Sequence, residues 1–499
     1  MLIARRARDV TAAEAPLLAA GVPLMATAVR ALGTAVAGLL RQRCGRVVGT
    51  SVAVLVGSGD NGADALLAGA ELARRGVAVI AIRAGSRVHD GAARAAHRTG
   101  ITLLAPGAAA LARAARCDVV LDGVTGIGAD GPLRGAGLDV VVGLLAALEA
   151  VPRPDRPLVV AVDVPSGIGV DDGTVAGPVL GADRTITMGT AKPGLLLPPA
   201  ALLAGEVDVV DLGLDLAGAE PAVVRLERAD VARLWPVPGP TDHKYTRGVL
   251  GVVAGSTGYP GAAVLATSAA APLVGMVRFL GPDTVVDAVL ARHPEVVHGD
   301  GRAQAWLVGP GIGVDDGERL AQVREVLERA VAHGLPAVVD AGALEVLPER
   351  VGAQVVLTPH AGELARLLGA RGEDVAREDV EARPLAHLRR AVALTGATVL
   401  LKGAVTLVAG PGTAVHSQAD GTAWLATAGA GDVLAGVVGA ALAVRSDDVV
   451  AEPGLAAPLA AAAAAVHGRA ARRASGGGPI VAGDVARAVA ATLAEVLRD

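Results

Sequence analysis

Short apolar runs, each closed by glycine or a carboxylate, recur along the chain and alternate with longer Ala/Leu stretches of helical period. The first, Ser51-Val-Ala-Val-Leu-Val56, leads into Gly57-Ser-Gly-Asp-Asn-Gly-Ala-Asp64 and a helical pattern over 65–75. Further strands are read at Val77-Ala-Val-Ile-Ala-Ile82, near 101–104, at Asp118-Val-Val-Leu-Asp122 and at Leu158-Val-Val-Ala-Val-Asp163. Helices are expected between them, over 90–99, 107–115 and 137–149. Continuous apolar strands separated by helices predict a parallel sheet covered on both faces, an α/β fold with three αβα layers. Residues 1–43 read as helical, with Thr11-Ala-Ala-Glu14 as a capping box. Short strands are expected within 184–214, around Ala191-Lys-Pro-Gly194.

A linker-like stretch over 215–228 and the turn-rich Trp235-Pro-Val-Pro-Gly-Pro240 separate two domains, expected at 1–217 and 225–499. The second repeats the alternation without repeating the sequence. Strands are read at Val249–Val253, 285–290, 305–308, 337–340, 355–357 and 398–401, with a helix over 317–333 and apolar helices after Gly429.

Composition narrows the picture. The chain has 499 residues, enough for two or more domains. Hydrophobic content is 52% with 1% aromatics, so the cores must be aliphatic. A net charge of −5 argues against a nucleic-acid footprint and means that an anionic ligand needs local cations. Cys44 and Cys117 suggest a reducing compartment without a disulfide framework. The N-terminus has no signal-peptide core, and the Ala-rich run 456–466 is shorter than a membrane span, so a cytoplasmic protein with no membrane partner is expected. Only three of the 45 basic residues are lysines, Lys192, Lys244 and Lys402, each beside a Gly-rich motif. Lysine offers a compact, titratable point charge where arginine offers a planar fork.

The polar clusters fall at strand ends, where sheets of this kind bind ligands. Asn61, Asp122 and Ser166 offer oxygens suited to a hard cation. Taken singly they also fit an Asx turn and helix caps. Glycine at 62 would let a ligand's phosphates approach the backbone. Asp163 and Lys192 are candidates for moving a proton at a reacting carbon. In the second half, Thr427-Ala-Gly-Ala-Gly-Asp-Val-Leu-Ala-Gly436 runs a tight turn into a helix. Its unpaired amides suit a phosphoryl group, and Asp432 either caps the helix or takes a proton from an attacking hydroxyl.

The first half resembles the epimerase domain of the bifunctional NAD(P)H-hydrate repair enzymes. The resemblance lies in Asp60–Asp64, Asp122, Gly126-Ile-Gly-Ala-Asp-Gly-Pro132, Asp163-Val-Pro-Ser-Gly167 and Lys192. It implies a Rossmann-like domain in which Asn61, Asp122 and Ser166 bind potassium. The hydrated dinucleotide would lie against Asp60, Asn61, Gly62, Ala63, Asp64, Gly126, Ile127, Gly128, Ala129, Asp130, Gly131, Pro132 and Asp163. Asp60 replaces the family's usual Asn, and Ala63 and Ala65 replace Gly.

The second half resembles the ribokinase-like dehydratase domain of the same enzymes. Its motifs are His243-Lys-Tyr-Thr-Arg-Gly248, Gly255-Ser-Thr-Gly-Tyr-Pro-Gly-Ala262, Arg292-His-Pro-Glu-Val296, Gly309-Pro-Gly-Ile-Gly313, Thr358-Pro-His-Ala-Gly-Glu363, Leu401-Lys-Gly403 and Gly429–Gly436. The resemblance implies ADP as phosphoryl donor, with AMP against Lys402, Gly403, Ala404, Val405, Thr406 and Gly431. It places the hydrate against Ala262, Gly311, Gly313, His360 and Asp432. Lys244 or Lys402, with the amides from Gly429 to Gly431, would absorb charge, and a magnesium ion could accompany the nucleotide. His360 reads equally as a turn residue. Gly342 stands where the family usually has Asp. Expected activities are epimerisation of the R and S hydrates and ADP-dependent dehydration of the S form, in a homo-oligomer. The alternative is a ribokinase-type small-molecule kinase whose first domain is a non-catalytic binding module.

Overall fold

A computed structural model describes residues 1–129 and 131–498. The chain divides into two compact units, Ile3–Val223 and Val224–Asp499, with Met1–Leu2 joining the latter.

In the N-terminal unit the described residues form a parallel sheet in the order Leu103–Leu104, Ala78–Arg83, Ser51–Val56, Val119–Gly123, Leu158–Val162, Arg184–Met188, Glu206–Val210. Alternate strand residues serve opposite faces, as the two-residue strand period requires. Val52, Val54 and Val56 pack with helices Leu24–Cys44 and Asp60–Arg74. Ala53 and Leu55 pack with Ala108–Ala114 and Gly135–Glu149. Helix Leu24–Cys44 is long and apolar enough to cross a membrane, but half of its apolar window lies inside this core.

Two readings of the N-terminus change. Residues 1–43 hold a strand, Leu2–Ala4, and two helices, Ala7–Ala19 and Leu24–Cys44. Thr11 sits inside the first helix and donates back to Ala7 O at 3.1 Å, so Thr11–Glu14 is not a capping box. Asp171 Oδ1 instead accepts from Ala7 N at 2.9 Å. The second helix of the expected pattern, 65–75, begins earlier, at Asp60.

In the C-terminal unit the strands run Val415–Gln418, Thr406–Ala409, Thr398–Leu401, Val355–Leu357, Ala337–Val339, Ala305–Val308, Val249–Val253, Met276–Leu280, Val297–His298. Among these nine strands the pairs are parallel except the two made by Thr406–Ala409. One face packs on helices Pro260–Ala270, Ala430–Val444, Ala456–Ser475 and Ala482–Val496. The other carries Gly317–Ala332 and Pro384–Thr395. The run 285–290 is not a strand but the middle of helix Asp283–Arg292. Its buried residues, Val285, Val286 and Val289, follow helical spacing and share one face. The strand before it, Met276–Leu280, alternates buried and half-buried residues and was missed.

In each unit the order reverses beside the first central strand, between Ser51–Val56 and Val119–Gly123 and between Val249–Val253 and Ala305–Val308. Such reversals open a crevice at the carboxyl ends of the strands.

Candidate active sites

The N-terminal crevice is a cleft of about 810 Å³. Asp60, Asn61, Asp64, Gly126, Ile127, Gly128, Ala129, Gly131, Pro132 and Asp163 line it, as expected from the sequence. Asp130 lies outside the described residues. Gly62 and Ala63 are buried behind the lining. A Cβ at Gly62 would lie 2.3 Å from Gly57 O, so this glycine admits the protein's own backbone rather than a phosphate. The sequence reading missed Glu14, Ser58 and Met188, which also line the cleft. Glu14 was mistaken for a cap because it lies three residues after a threonine.

Asp163 takes a left-handed backbone, φ 68°, rare outside glycine and indicative of a constrained position. Its Oδ1 accepts from Lys192 Nζ, from Thr187 Oγ1 at 3.0 Å and from Met188 N at 3.0 Å. Lys192 is 1% exposed and also donates to Thr187 Oγ1 at 3.0 Å and Met188 O at 2.8 Å. All three of its N–H bonds are thereby used, and Asp163, not Lys192, faces the cleft. Burial, reinforced by the charges of Asp60, Asp163 and Glu14, pushes the Asp64 carboxyl up to about 7. Its Oδ1 is buried without a hydrogen-bond partner among the described residues.

The three residues assigned to potassium come together. Ser166 donates through Oγ to Asp122 Oδ1 at 2.7 Å and through N to Oδ2 at 2.9 Å. Thr125 N donates to Ser166 Oγ at 2.9 Å, and Asn61 Nδ2 donates to Thr125 O at 2.6 Å and Val162 O at 2.8 Å. Asp122 is fully buried, and burial pushes its carboxyl up even against these hydrogen bonds. A buried carboxylate with no cationic hydrogen-bond partner among the described residues, set among neutral oxygens, fits a hard cation.

In the C-terminal unit Gly429 is the N-cap of helix Ala430–Val444 and takes φ 86°, turning the first amides outward. Asp432 lies in the first turn, partly buried, and makes no capping hydrogen bond. The sequence alternative that it merely caps the helix is therefore not what is observed. Burial first, and then the nearby Asp340 and Glu363 charges, push its carboxyl up to about 6 against the opposing pull of Lys402. Lys402 Nζ donates to Asp340 Oδ1 at 2.9 Å and lies 3.6 Å from Glu363 Oε2. Burial alone would lower the lysine's pKa, but Asp340 and Glu363 outweigh it and raise it. A Cβ placed on Gly431 would lie 3.5 Å from that Nζ, so lysine and amide turn face one another. Gly403 and Ala404 are exposed just after the lysine, while Val405 is buried and Thr406 pairs with Gln418.

Loops 255–262 and 309–313 clasp at the crevice, with Gly255 N donating to Pro310 O at 2.7 Å and Ser256 Oγ to Gly311 O at 2.9 Å. Ala262 abuts Gly311, and Gly313 follows in the same half-buried turn. Gly342 packs where a Cβ would lie 2.3 Å from Ile312 O, so this backbone closes on the loop where an aspartate side chain would need room. His360 is the N-cap of helix Ala361–Gly369; its Nδ1 accepts from Gly362 N and Glu363 N, and its ring is half exposed. Burial and the cations Lys402, Arg366 and Arg377, against Glu363, lower its pKa.

Lys244 is not brought to this cluster. It is exposed, with Nζ 5.2 Å from the centroid of the Tyr245 ring, and its carbonyl lies against Gly275 before a strand begins. Gly248 abuts Ala443, eleven residues along the helix from Asp432, or about 16 Å at 1.5 Å per residue. Asp340 and Glu363, in contrast, are central and were not named as site residues. Asp340 follows the strand Ala337–Val339 and Glu363 lies in the first turn of helix Ala361–Gly369, and Lys402, distant in sequence, joins them.

The two crevices define a two-unit α/β enzyme, one site built around a buried carboxylate set among neutral oxygens and the other around an amide turn with a carboxylate. Residues 24–194 match the family model described as YjeF-related protein N-terminus, and residues 250–488 match that described as NAD(P)H-hydrate dehydratase. The chain is 44% identical over 450 residues to the bifunctional NAD(P)H-hydrate repair enzyme Nnr of Mycobacterium tuberculosis, covering 87% of this chain and 88% of that one. It is 48% identical to the NAD(P)H-hydrate epimerase of Clavibacter sepedonicus, over 43% of this chain and 92% of that one. A solved ADP/ATP-dependent NAD(P)H-hydrate dehydratase from Bacillus subtilis matches with TM-score 0.46 and 23% identity, over 54% of this chain and 97% of that one. The chain belongs to the bifunctional NAD(P)H-hydrate repair enzyme family.

Proposed function

We propose that the chain repairs hydrated NADH and NADPH: the N-terminal unit interconverts the R and S hydrates, and the C-terminal unit dehydrates the S form at the expense of ADP. The observation that carries this reading is Asp432, held without a capping bond beside the Gly429–Gly431 amides and opposite Lys402. Above pH of about 6 its carboxylate is ionised and can take the proton of the ring hydroxyl. The hydroxyl oxygen then bonds to the terminal phosphorus of ADP, and AMP departs. The amides and Lys402 hold the charge of the transferring group, a task of positioning and electrostatics. Loss of phosphate from the phosphorylated hydrate restores the dihydronicotinamide, because phosphate leaves far more readily than hydroxide. AMP rests against Lys402–Thr406 and Gly431, and the hydrate against Ala262, Gly311, Gly313 and His360. A magnesium ion accompanying the nucleotide would find carboxylates in Asp340 and Glu363.

In the N-terminal unit, Asp163 moves the proton at the hydrated ring and Lys192 fixes its carboxylate. Asn61, Asp122 and Ser166 would hold potassium, which supplies the positive charge that the buried Asp122 lacks. The enzyme works as a homo-oligomer in the cytoplasm, a compartment supported by the free thiols Cys44 and Cys117. A ribokinase-type transfer to a stable product would use the same amide turn; family membership favours dehydration. The test is to incubate the full chain with mixed hydrate epimers, with and without ADP. The expected result is complete conversion to dihydronicotinamide with one AMP and one phosphate per turnover. A stable phosphorylated product would establish the kinase instead.

A further inference from the structure

Helix Gly317–Ala332 begins with an arrangement that neither proposed reaction uses. Arg319, in its first turn, is 6% exposed. A cation is poorly placed there, because the N-terminal end of a helix is itself positive and burial strips the guanidinium of water. Burial lowers its pKa, against the charges of Asp316 and Glu318. Yet among the described residues its hydrogen-bond acceptors are three carbonyls and the Gln322 amide, and none is a carboxylate. Nε donates to Gly255 O at 3.1 Å, and Nη2 donates to Ala254 O at 3.1 Å and to Leu280 O at 3.2 Å. Nη1 donates to Gln322 Oε1, so every nitrogen of the fork is engaged.

The three carbonyls stand at the carboxyl ends of two paired strands. Val253 lies beside Leu280, and Ala254 and Gly255 carry the chain on into the 255–262 loop. Gly255 takes φ 74°, which lets its N–H donate to Pro310 O at 2.7 Å while its carbonyl accepts from Arg319. Ser256 Oγ then donates to Gly311 O at 2.9 Å. The 309–313 loop runs on to Asp316, whose Oδ1 accepts from Arg319 N at 3.2 Å, and into the helix that carries the arginine. One loop thus anchors Arg319 through its backbone, and the Arg319 side chain holds the other. A lysine could not repeat this, because a single ammonium lacks the fork's separated donors. These loops form the wall assigned to the hydrate through Ala262, Gly311 and Gly313, whereas Lys402, Gly403 and the Gly429–Gly431 turn stand on other elements. We propose that Arg319 is a positioning residue for the hydrate, holding loops 255–262 and 309–313 as one wall and so setting recognition of the hydrated ring without touching it or the ADP site. This role rests on the dehydratase reading for the identity of what binds, but the clamp between the loops can be read without turnover.

The test uses the full chain with Arg319→Lys, which keeps the charge and loses the fork, and with Ser256→Ala, which breaks the clasp one bond further on. Steady-state kinetics give KM for the S hydrate and for ADP, calorimetry gives ADP binding, and hydrogen exchange reads the opening of 255–262 and 309–313. Arg319→Lys should raise KM for the hydrate about tenfold with kcat little changed, and should move KM and Kd for ADP by less than about twofold. Exchange in both loops should quicken about tenfold. Because both substitutions open the same clasp, the double variant should raise the hydrate KM little beyond Arg319→Lys alone. Arg319→Gln, which removes the buried charge together with its cost, carries the same expectation where the lysine variant folds poorly. An unchanged hydrate KM, equal losses toward hydrate and ADP, or effects that multiply in the double variant would overturn the assignment. Quickened exchange in both loops, in a protein whose wild type dehydrates no hydrate, would retain the clamp and sink the dehydratase reading.

Discussion

Each unit sets one of the chain's three lysines against an aspartate at a strand end, and the two pairs are built for different work. Lys192 is buried with all its donors committed to Asp163, Thr187 and Met188. Lys402 has a side chain 19% exposed, bonds Asp340, pairs with Glu363 at 3.6 Å and faces the amide turn at Gly431. The first lysine is a clamp that holds an aspartate in an unfavourable backbone conformation. The second keeps donors for an arriving anion. The difference teaches that, under the proposed function, the same residue pair serves a proton-moving carboxylate in one unit and a phosphoryl site in the other, with burial and the acceptor count separating the two.

The largest effect should come from breaking the clamp. Lys192→Met leaves Asp163 buried without its cation and should cost the N-terminal unit about 3–5 kcal/mol, together with its epimerase activity, as read by chemical denaturation and epimer exchange. Unchanged stability would show that the clamp is not one.

Next in size is a divergence in acid. His416 and His467, in the C-terminal unit, are held by burial at about 4 against a usual 6.5. The unfolded chain protonates them near 6.5 and the folded one does not. Their stabilisation is thus complete above 6.5 and is lost as pH falls toward 4, by on the order of 3 kcal/mol for each at most. Asp64 runs the other way: its folded value of about 7 exceeds the usual 3.8, so stability from it is lost as pH rises between those values. Hydrogen exchange resolved by unit should therefore show the C-terminal unit loosening first on acidification from 6.5 to 4. Parallel loosening of both units would contradict this.

A smaller effect is expected at Gly342. Restoring the family's aspartate, Gly342→Asp, drives a Cβ to 2.3 Å from Ile312 O, and overpacking of this kind costs about 1–3 kcal/mol. The 309–313 loop should shift and KM for the hydrate should rise, measured by thermal melts and steady-state kinetics. The smallest is Lys402→Met, which should lower kcat/KM for ADP-driven dehydration about tenfold, with a fall in kcat, the loss of roughly one charge-assisted hydrogen bond to the transferring group. Epimerisation should be untouched.

Much of this was legible in the residues. The apolar runs from Ser51 to Asp163 gave nearly every N-terminal strand, because fully buried parallel strands leave an uninterrupted signature. Residues 285–290 failed for the same reason: Val285, Val286, Val289 and Leu290 read as a strand until the helical spacing of the buried ones is weighed. Asn61, Asp122 and Ser166 could be read as neighbours because each lies in or just after an apolar strand, and the sheet brings the ends of those strands together. Lys244 was misplaced because sequence shows that a lysine is rare but not which end of the sheet it occupies. Asp340 and Glu363 were overlooked because their importance arises only from the approach of Lys402, which is distant in sequence. The role of Gly62 could not be read, since a backbone neighbour and a ligand phosphate ask the same thing of a glycine.

Asp432 is the group proposed to take the hydroxyl proton. The most direct measurement is the pH dependence of ADP-driven dehydration in the wild type and in Asp432→Asn, with ADP binding measured in both. The wild-type rate should rise through a pH of about 6 and then level. The variant should bind ADP, melt no lower than the wild type, and lose about 10²–10⁴-fold in rate. A variant that dehydrates at the wild-type rate, with the same rise near 6, would contradict the assignment.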